Sequence, residues 1–366
     1  MFIFRHGGKR VAQVLRPAYA ATSHRLASRI AIPFTPPPFP VIETCPSPTC
    51  QCREAPAGLE IEREQSLNGS MAAYAEQILI STGKNDWKSR IEEEEGAVLI
   101  RQMKKLLLKG GKYVDPYHNV MISNSSIQPE IAPDQQPVAP TQDNSTEASK
   151  DRLISLPESG PPASAFLLPS FKYIPAIPTD TKSVETFIQA FVLPQKLHSI
   201  YETLTAEQHY ALLRKPELQR QFAGVRNVEE ILILVCGHGG RDDRCGKMAP
   251  VLMAEFEEKL QSSNIAILKG VPTTEAIKAD VQDSKYLPPA RIASISHIGG
   301  HKFAGNVIVY IPPSFRSNPL AGNGIWYGRV GPEHVEGIVA KTILDGQVIK
   351  DQFRGGIDGN GGILRL

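Results

Sequence analysis

Cys236 and Cys245 stand in a C-x8-C pattern directly after the apolar run Glu230-Ile-Leu-Ile-Leu-Val235. His297 and His301 stand in His-Ile-Gly-Gly-His, an H-x3-H pattern, shortly before Asn306-Val-Ile-Val-Tyr-Ile311. Two thiolates and two imidazoles make a four-donor set of the soft and borderline kind that binds zinc or iron–sulfur centres. All four sit in Gly-rich loops at the ends of expected strands, where rigid scaffolds usually display function. Three readings stand side by side. The cysteines are ordinary buried thiols and the histidines satisfied loop residues. Or the four bind zinc: the histidine spacing fits, but the cysteine spacing is too wide for a zinc knuckle. Or the wide loop encloses a larger object such as a [2Fe–2S] cluster, with Gly237, Gly239, Gly240 and Gly246 letting backbone N–H groups approach its sulfides.

The neighbours of this set have weaker claims. His238 lies inside the cysteine loop and is a candidate fifth ligand, without paired spacing. Arg241, Asp242, Asp243 and Arg244 make either a solvated loop tip or a docking and hydrogen-bonding patch. Lys302 follows His301 as a surface lysine or as a charge set beside the centre. Cys236-Gly-His-Gly-Gly-Arg241 is one residue short of a phosphatase-type phosphate cradle, and Thr82-Gly83-Lys84 lacks the upstream glycine of a nucleotide P-loop. No G-x-G-x-x-G follows an expected strand, so nothing marks a dinucleotide site.

The elements that must position these residues form an alternating pattern. Glu230 to Val235 is a continuous apolar run, as expected of a strand buried on both faces. A polar loop then runs from Cys236 to Gly246, and Met248, Leu252, Phe256 and Leu260 carry helical spacing. Further strands are expected at 264–268, 291–295 and 306–311, a short extended piece at 326–330, and a helix over 335–344. Upstream, 71–80 is an apolar stretch open to either helix or strand. Residues 91–108 place acidic residues first and basic ones later, which suits a helix macrodipole. Extended segments are expected at 165–168 and 171–174, and short helices at 184–191 and 206–213. Strands alternating with helices predict an α/β (α+β) fold. No internal repeat is evident.

The remaining segments read by composition. Residues 1–42 carry Arg5, Lys9, Arg10, Arg16, Arg25 and Arg29 and no acidic residue, with spaced apolar positions that could line one helix face. That is the composition of a mitochondrial transit peptide, followed by a Pro-rich linker at 35–40. Residues 123–163 are rich in Ser, Pro, Gln, Asn, Asp and Thr, and predict a disordered insertion. Cys45, Cys50 and Cys52 fit no standard metal spacing; in a Pro-rich segment they are expected to be exposed, as a redox-active dithiol, as a substrate of the C-terminal centre, or as incidental thiols. The division that follows is 1–42, 43–122, 123–163, 164–225 and 226–366.

Net charge excludes some functions. Forty basic against 38 acidic residues give +2, without the basic excess of a nucleic-acid binder, so no nucleic-acid partner is expected. No apolar run is long enough to span a bilayer, so no membrane span is expected. Five cysteines is too few and an odd number for a disulfide scaffold.

Taken together, Cys236-x8-Cys245, His297-Ile-Gly-Gly-His301-Lys-Phe-Ala-Gly-Asn306, Trp326-Tyr-Gly-Arg329 and Ile80-Ser-Thr-Gly-Lys-Asn-Asp-Trp-Lys-Ser-Arg90 resemble the sucrase/ferredoxin-like family. The resemblance covers roughly 43–122 and 165–355. It implies a C-terminal thioredoxin-like ferredoxin domain, beside a smaller N-terminal α/β region, and one [2Fe–2S] cluster held by Cys236, Cys245, His297 and His301. It further implies mitochondrial electron transfer or thiol redox control, in the matrix or the intermembrane space, with a redox partner protein or protein thiols as partners. Two other functions remain beside it: a thiol–disulfide oxidoreductase using the N-terminal cysteines, and a zinc-stabilised interaction module.

Overall fold

The computed structural model describes residues 36–130, 159–273 and 286–366. The basic segment read as a transit peptide, up to residue 35, and 131–158 of the insertion lie outside the described residues.

The fold is α/β. In chain order the strands are β1 Val41–Ile42, β2 Glu76–Ser81, β3 Val120–Ser125, β4 Ala163–Leu168, β5 Lys172–Ile177, β6 Arg226–Asn227, β7 Ile231–Cys236, β8 Ala290–Ile295, β9 Val307–Tyr310, β10 Gly324–Tyr327, β11 Val348–Ile349, β12 Phe353–Ile357 and β13 Ile363–Leu364. The α-helices are α1 Val98–Leu107, α2 Thr181–Phe187, α3 Ala206–Leu212, α4 Asp243–Ser262 and α5 Pro332–Gly337. Eleven strands form one mixed sheet in the order β13-β12-β10-β9-β7-β8-β3-β2-β4-β5-β6.

The two halves of this sheet repeat one topology. In β2-α1-β3-β4-β5-α2, β3 pairs parallel with β2, β4 pairs antiparallel with β2, and β5 antiparallel with β4. In β7-α4-β8-β9-β10-α5, β8 pairs parallel with β7, β9 antiparallel with β7, and β10 antiparallel with β9. Both α2 and α5 run on into a π-helical turn, Ile188–Val192 and Ile338–Leu344. The repeat absent from the sequence is therefore present in the topology. The halves join where β3 meets β8, antiparallel, at Ser125 and Ile295.

Burial explains the strand pattern. Every residue of β2 and of β7 is buried, because both lie centrally with apolar layers on each face. One apolar cluster packs α4 and α5 against the second half, and another packs α1 and α2 against the first. A third lies on the opposite face and includes Leu79 and Phe166 from one half with Leu234, Cys236, Cys245 and Trp326 from the other. The boundary drawn at 225/226 thus divides the topology but not the sheet or this core.

Several expectations change in detail. The 71–80 stretch is a strand only from Glu76. The strand expected at 264–268 is reduced to an isolated bridge of Ile267 to Ala290. The insertion begins later than residue 123, because β3 continues to Ser125 in register with Ser81 of β2, and β4 already begins at Ala163. The Pro-rich linker ends before residue 39: Phe39 is buried against Phe353, and β1 pairs parallel with β11.

Candidate metal centre

Two parallel strands end side by side at the first of the candidate donors. Cys236 is the last residue of β7, and its register partner Ile295 is the last residue of β8. The chain leaving β8 therefore starts its loop beside Cys236, and His297 is two residues further on. Ser296 fixes that start, since its N–H donates to the Asn124 carbonyl and its hydroxyl accepts the Asn124 N–H, both at 2.9 Å. Gly299 and Gly300 then turn the chain with φ of +85° and +74°, a region that favours glycine. A single 3-10 turn, His301–Phe303, follows. The imidazoles of His297 and His301 end with ring centroids 5.2 Å apart.

Cys245 arrives differently from expectation. α4 does not begin at Met248; it begins at Asp243, so Cys245 is in its first turn. Asp242 caps the helix by accepting the Arg244 N–H at 3.1 Å, and binds the Arg244 guanidinium at 2.8 Å. The Arg244 guanidinium, helped by that N–H, holds the Asp242 carboxyl below the usual carboxylate range. Asp242 Oδ2 also lies 4.0 Å from His301 Nε2. Of the expected loop tip, Asp242 and Arg244 are thus structural, and Arg241 donates to Ser89 Oγ at 3.2 Å.

Both thiols are buried, Cys236 at 1% and Cys245 at 0% exposure. They contact each other. Hydrogen bonding from Cys245, then the His297 imidazole and the His238 N–H, hold the Cys236 thiol well below the ordinary range despite burial. The same contact, with burial, pushes Cys245 up.

This donor chemistry fits a metal centre. His297 Nδ1 and His301 Nδ1 are buried and have no hydrogen-bond partner. A buried imidazole nitrogen left unpaired is costly unless something binds it. Cys236 interacts with Cys245 and with the His297 imidazole, and the His301 ring lies beside that of His297. Among the described residues no three His, Cys, Asp or Glu side chains gather around the position of one ion.

His238 is not a further ligand. Its Nε2 faces the carbonyls of Trp87 and Lys88, each at 3.0 Å, and its Nδ1 accepts the His297 N–H at 3.0 Å. Both ring nitrogens are used in joining the cysteine loop to the histidine loop and to residues 87–88. Asp86 adds a second tie by accepting the Gly240 N–H on both carboxylate oxygens at 3.0 Å. The loop glycines serve packing: a Cβ on Gly240 would collide with the Trp87 carbonyl, and one on Gly237 with Ser294 Oγ. Lys302 turns away to Gln65 Oε1. Trp326 is core, donating from Nε1 to Tyr74 Oη at 3.0 Å. Sequence reasoning missed Asp86 and Arg354, which come from distant segments, and gave no role to Asn306 although it closes the histidine motif.

The segment that carries the other three cysteines lies against α4 and α5. All five cysteines are free. Cys45 is half-buried against the His334 carbonyl, and burial pushes its thiol up to about 11. Cys50 is exposed; its sulfur sits 2.8 Å from Lys259 Nζ and 3.5 Å from Glu336 Oε2. Cys52 Sγ lies 3.7 Å from the Cys50 carbonyl, and burial raises it too. Arg53 anchors the segment to Glu255 at 2.7 Å. The segment is docked, and of its three cysteines only Cys50 is exposed.

Fold and site together define an α/β protein with two buried cysteines and two loop histidines where two adjacent parallel strands end. The chain belongs to the sucrase/ferredoxin-like family, whose model matches residues 67–355 and so spans all four donors but not Cys45, Cys50 or Cys52. It is similar to altered inheritance of mitochondria protein 32 from Debaryomyces hansenii, 31% identical over 86% of this chain and 95% of that one. The protein of the same name from Meyerozyma guilliermondii is 26% identical over 87% of this chain and 96% of its own. That from Saccharomyces cerevisiae is 34% identical over 35% of this chain and 32% of its own. No solved structure matches the chain. Among the described residues no helix is long and apolar enough to cross a membrane.

Proposed function

We propose that the chain is a mitochondrial redox protein whose Cys236, Cys245, His297 and His301 hold a [2Fe–2S] cluster for electron transfer or thiol redox control. The observation that carries this reading is the pairing of the donors: two buried thiols in mutual contact, beside two imidazoles whose buried Nδ1 atoms lack partners. Two pairs suit two irons, one with both cysteines and one with both histidines, better than they suit one zinc ion. The mitochondrial part rests on the names of the relatives and on the basic, acid-free N-terminus.

Such a cluster supplies one-electron chemistry. The protein decides its character. Two thiolates and two neutral imidazoles leave the oxidised site formally neutral, where four thiolates would leave it at −2. Taking up an electron is therefore easier, as in Rieske centres. A histidine that binds through one ring nitrogen would keep the other to hold or release a proton, and His301 holds its Nε2 toward Asp242. Electron uptake by a bound cluster would thereby be linked to proton uptake at the histidines within some pH range. The test is iron and acid-labile sulfide analysis after anaerobic purification. About two of each, with a red-brown colour, support the reading; stoichiometric zinc in a colourless protein refutes it.

One contact favours a second reading, a thiol–disulfide oxidoreductase. The buried Lys259 ammonium sits 2.8 Å from the exposed Cys50 sulfur, with Cys52 two residues on. Unchanged thiol turnover in a Cys50→Ser, Cys52→Ser double variant removes it.

A further inference from the structure

Arg354 is a charge buried without a counter-charge of its own. It lies on β12 and is 1% exposed. Its guanidinium donates from Nη1 to Asn306 Oδ1 at 2.7 Å and to the Gly299 carbonyl at 3.2 Å. Nη2 reaches the Ser70 carbonyl at 2.8 Å, and Nε the Ser70 hydroxyl at 3.1 Å. The rings of Phe303 and Trp326 lie 5.6 and 5.8 Å from it. Among the described residues no carboxylate pairs with it. Every partner is neutral, so the hydrogen bonds satisfy the donors but leave the positive charge uncompensated in a low-dielectric setting.

Two other arginines are buried, Arg226 and Arg291, and both lie against Glu230. Arg226 meets Glu230 through two nitrogens, at 2.9 and 3.1 Å. Arg354 has no such partner. Burial pulls its pKa down to about 10, and Cys236 and Cys245 are the groups that oppose that pull. Its hydrogen bonds run to the same place. Gly299 is in the histidine loop. Asn306, which accepts from Arg354, donates from Nδ2 to the Gly300 carbonyl at 2.9 Å, and its own carbonyl accepts the Cys236 N–H at 2.9 Å. A Cβ on Gly300 would collide with Arg354 Nη2. The arginine thus sits directly beneath the turn between His297 and His301.

We infer that Arg354 is the positioning and charge-compensating residue of the Cys2His2 centre, holding the histidine turn through Gly299 and Asn306 and stabilising the negative charge that the centre gains on reduction. This rests on the cluster reading above. At a pH where no proton follows the electron, a neutral oxidised site would become −1 on taking up one electron. A fixed, desolvated cation interacts only weakly with the first state and favourably with the second. The cation therefore raises the reduction potential. Because it is buried, salt screens the effect little.

The experiment compares the midpoint potential of the full chain, purified anaerobically, with Arg354→Gln, Arg354→Lys and Asn306→Asp, each checked first for iron content and for its EPR signal. Arg354→Gln is expected to lower the reduction equilibrium constant by about tenfold, equivalent to ~59 mV for one electron. Arg354→Lys keeps the charge and is expected to stay within about threefold of the parent while releasing iron faster to a chelator. Asn306→Asp sets a carboxylate against the guanidinium without emptying the site; it is expected to lower the constant as Arg354→Gln does, and it decides the matter if Arg354→Gln fails to take up iron. Equal potentials in the parent, Arg354→Gln and Asn306→Asp overturn the inference, as do equal shifts in Arg354→Lys and Arg354→Gln. A parent chain that binds no iron–sulfur cluster overturns the underlying reading instead, so the two failures are distinguishable.

Discussion

His238 Nδ1 accepts the backbone N–H of His297 at 3.0 Å, while its Nε2 faces the carbonyls of Trp87 and Lys88. One imidazole thereby links three segments: the cysteine loop, the histidine loop and the segment after β2. Outer partners of metal ligands usually alter affinity by 10–100-fold. His238→Ala is expected to speed iron loss to a chelator by about tenfold without changing the type of EPR signal. An unchanged rate shows that the link does not hold the donor loops.

The donors themselves are expected to differ in kind when replaced. His297→Cys or His301→Cys keeps a visible cluster, with a lower potential and a weaker pH dependence, because a thiolate adds negative charge and removes a protonatable nitrogen. Cys236→Ser or Cys245→Ser is expected to lose most of the colour. Visible spectra and a potential-against-pH series read both.

Gly300 stands at φ +74° against the Arg354 guanidinium. Gly300→Ala is expected to destabilise the protein by roughly 1–3 kcal/mol, through backbone strain and displacement of the arginine. Denaturant midpoints measure it, with Gly299→Ala as control, since that position is equally left-handed but open to space.

Glu76 gives a pH signature unrelated to the centre. Burial raises its carboxyl to about 7, against the pull of Ser170 and Arg214. A carboxyl with a raised folded-state pKa binds more protons folded than unfolded. Its contribution to stability is therefore full below the unfolded value of 4.5 and declines as pH rises from there to about 7. Across that window the loss is about 3 kcal/mol. Glu76→Gln is expected to flatten this slope, so that the variant gains on the parent between pH 5 and 8. Parallel stability–pH curves contradict it.

Thiol reactivity orders the N-terminal cysteines. With its thiol at about 11, Cys45 has roughly a hundredfold less thiolate at pH 8 than an ordinary cysteine. Mass spectrometry after brief iodoacetamide treatment is expected to find Cys50 labelled first and Cys45 last. Fast labelling of Cys45 shows that the docking against His334 does not persist in solution.

The sequence made the strands legible where burial was complete. β7 reads as an unbroken apolar run because both its faces are covered, and the four donors were marked by type and spacing. What stayed hidden depends on contacts across the chain. α4 begins before Cys245 because Asp242 caps it, yet Arg-Asp-Asp-Arg reads as a polar loop. The repeated topology leaves no sequence trace because Ser81 ends β2 where Cys236 ends β7, and the loops after them have diverged: the second carries a donor, the first supplies Asp86, Trp87 and Lys88 to brace it. Nothing near Arg354 in sequence hints at its burial beneath the histidine turn, 55 residues from Gly299.

The central claim concerns which atoms hold the iron, and electron–nuclear double resonance on the dithionite-reduced, anaerobically purified chain reads them directly. Hyperfine couplings from two histidine nitrogens are predicted in the parent and from one in either His297→Cys or His301→Cys. A paramagnetic cluster with no nitrogen coupling, or with couplings that survive both replacements, contradicts it.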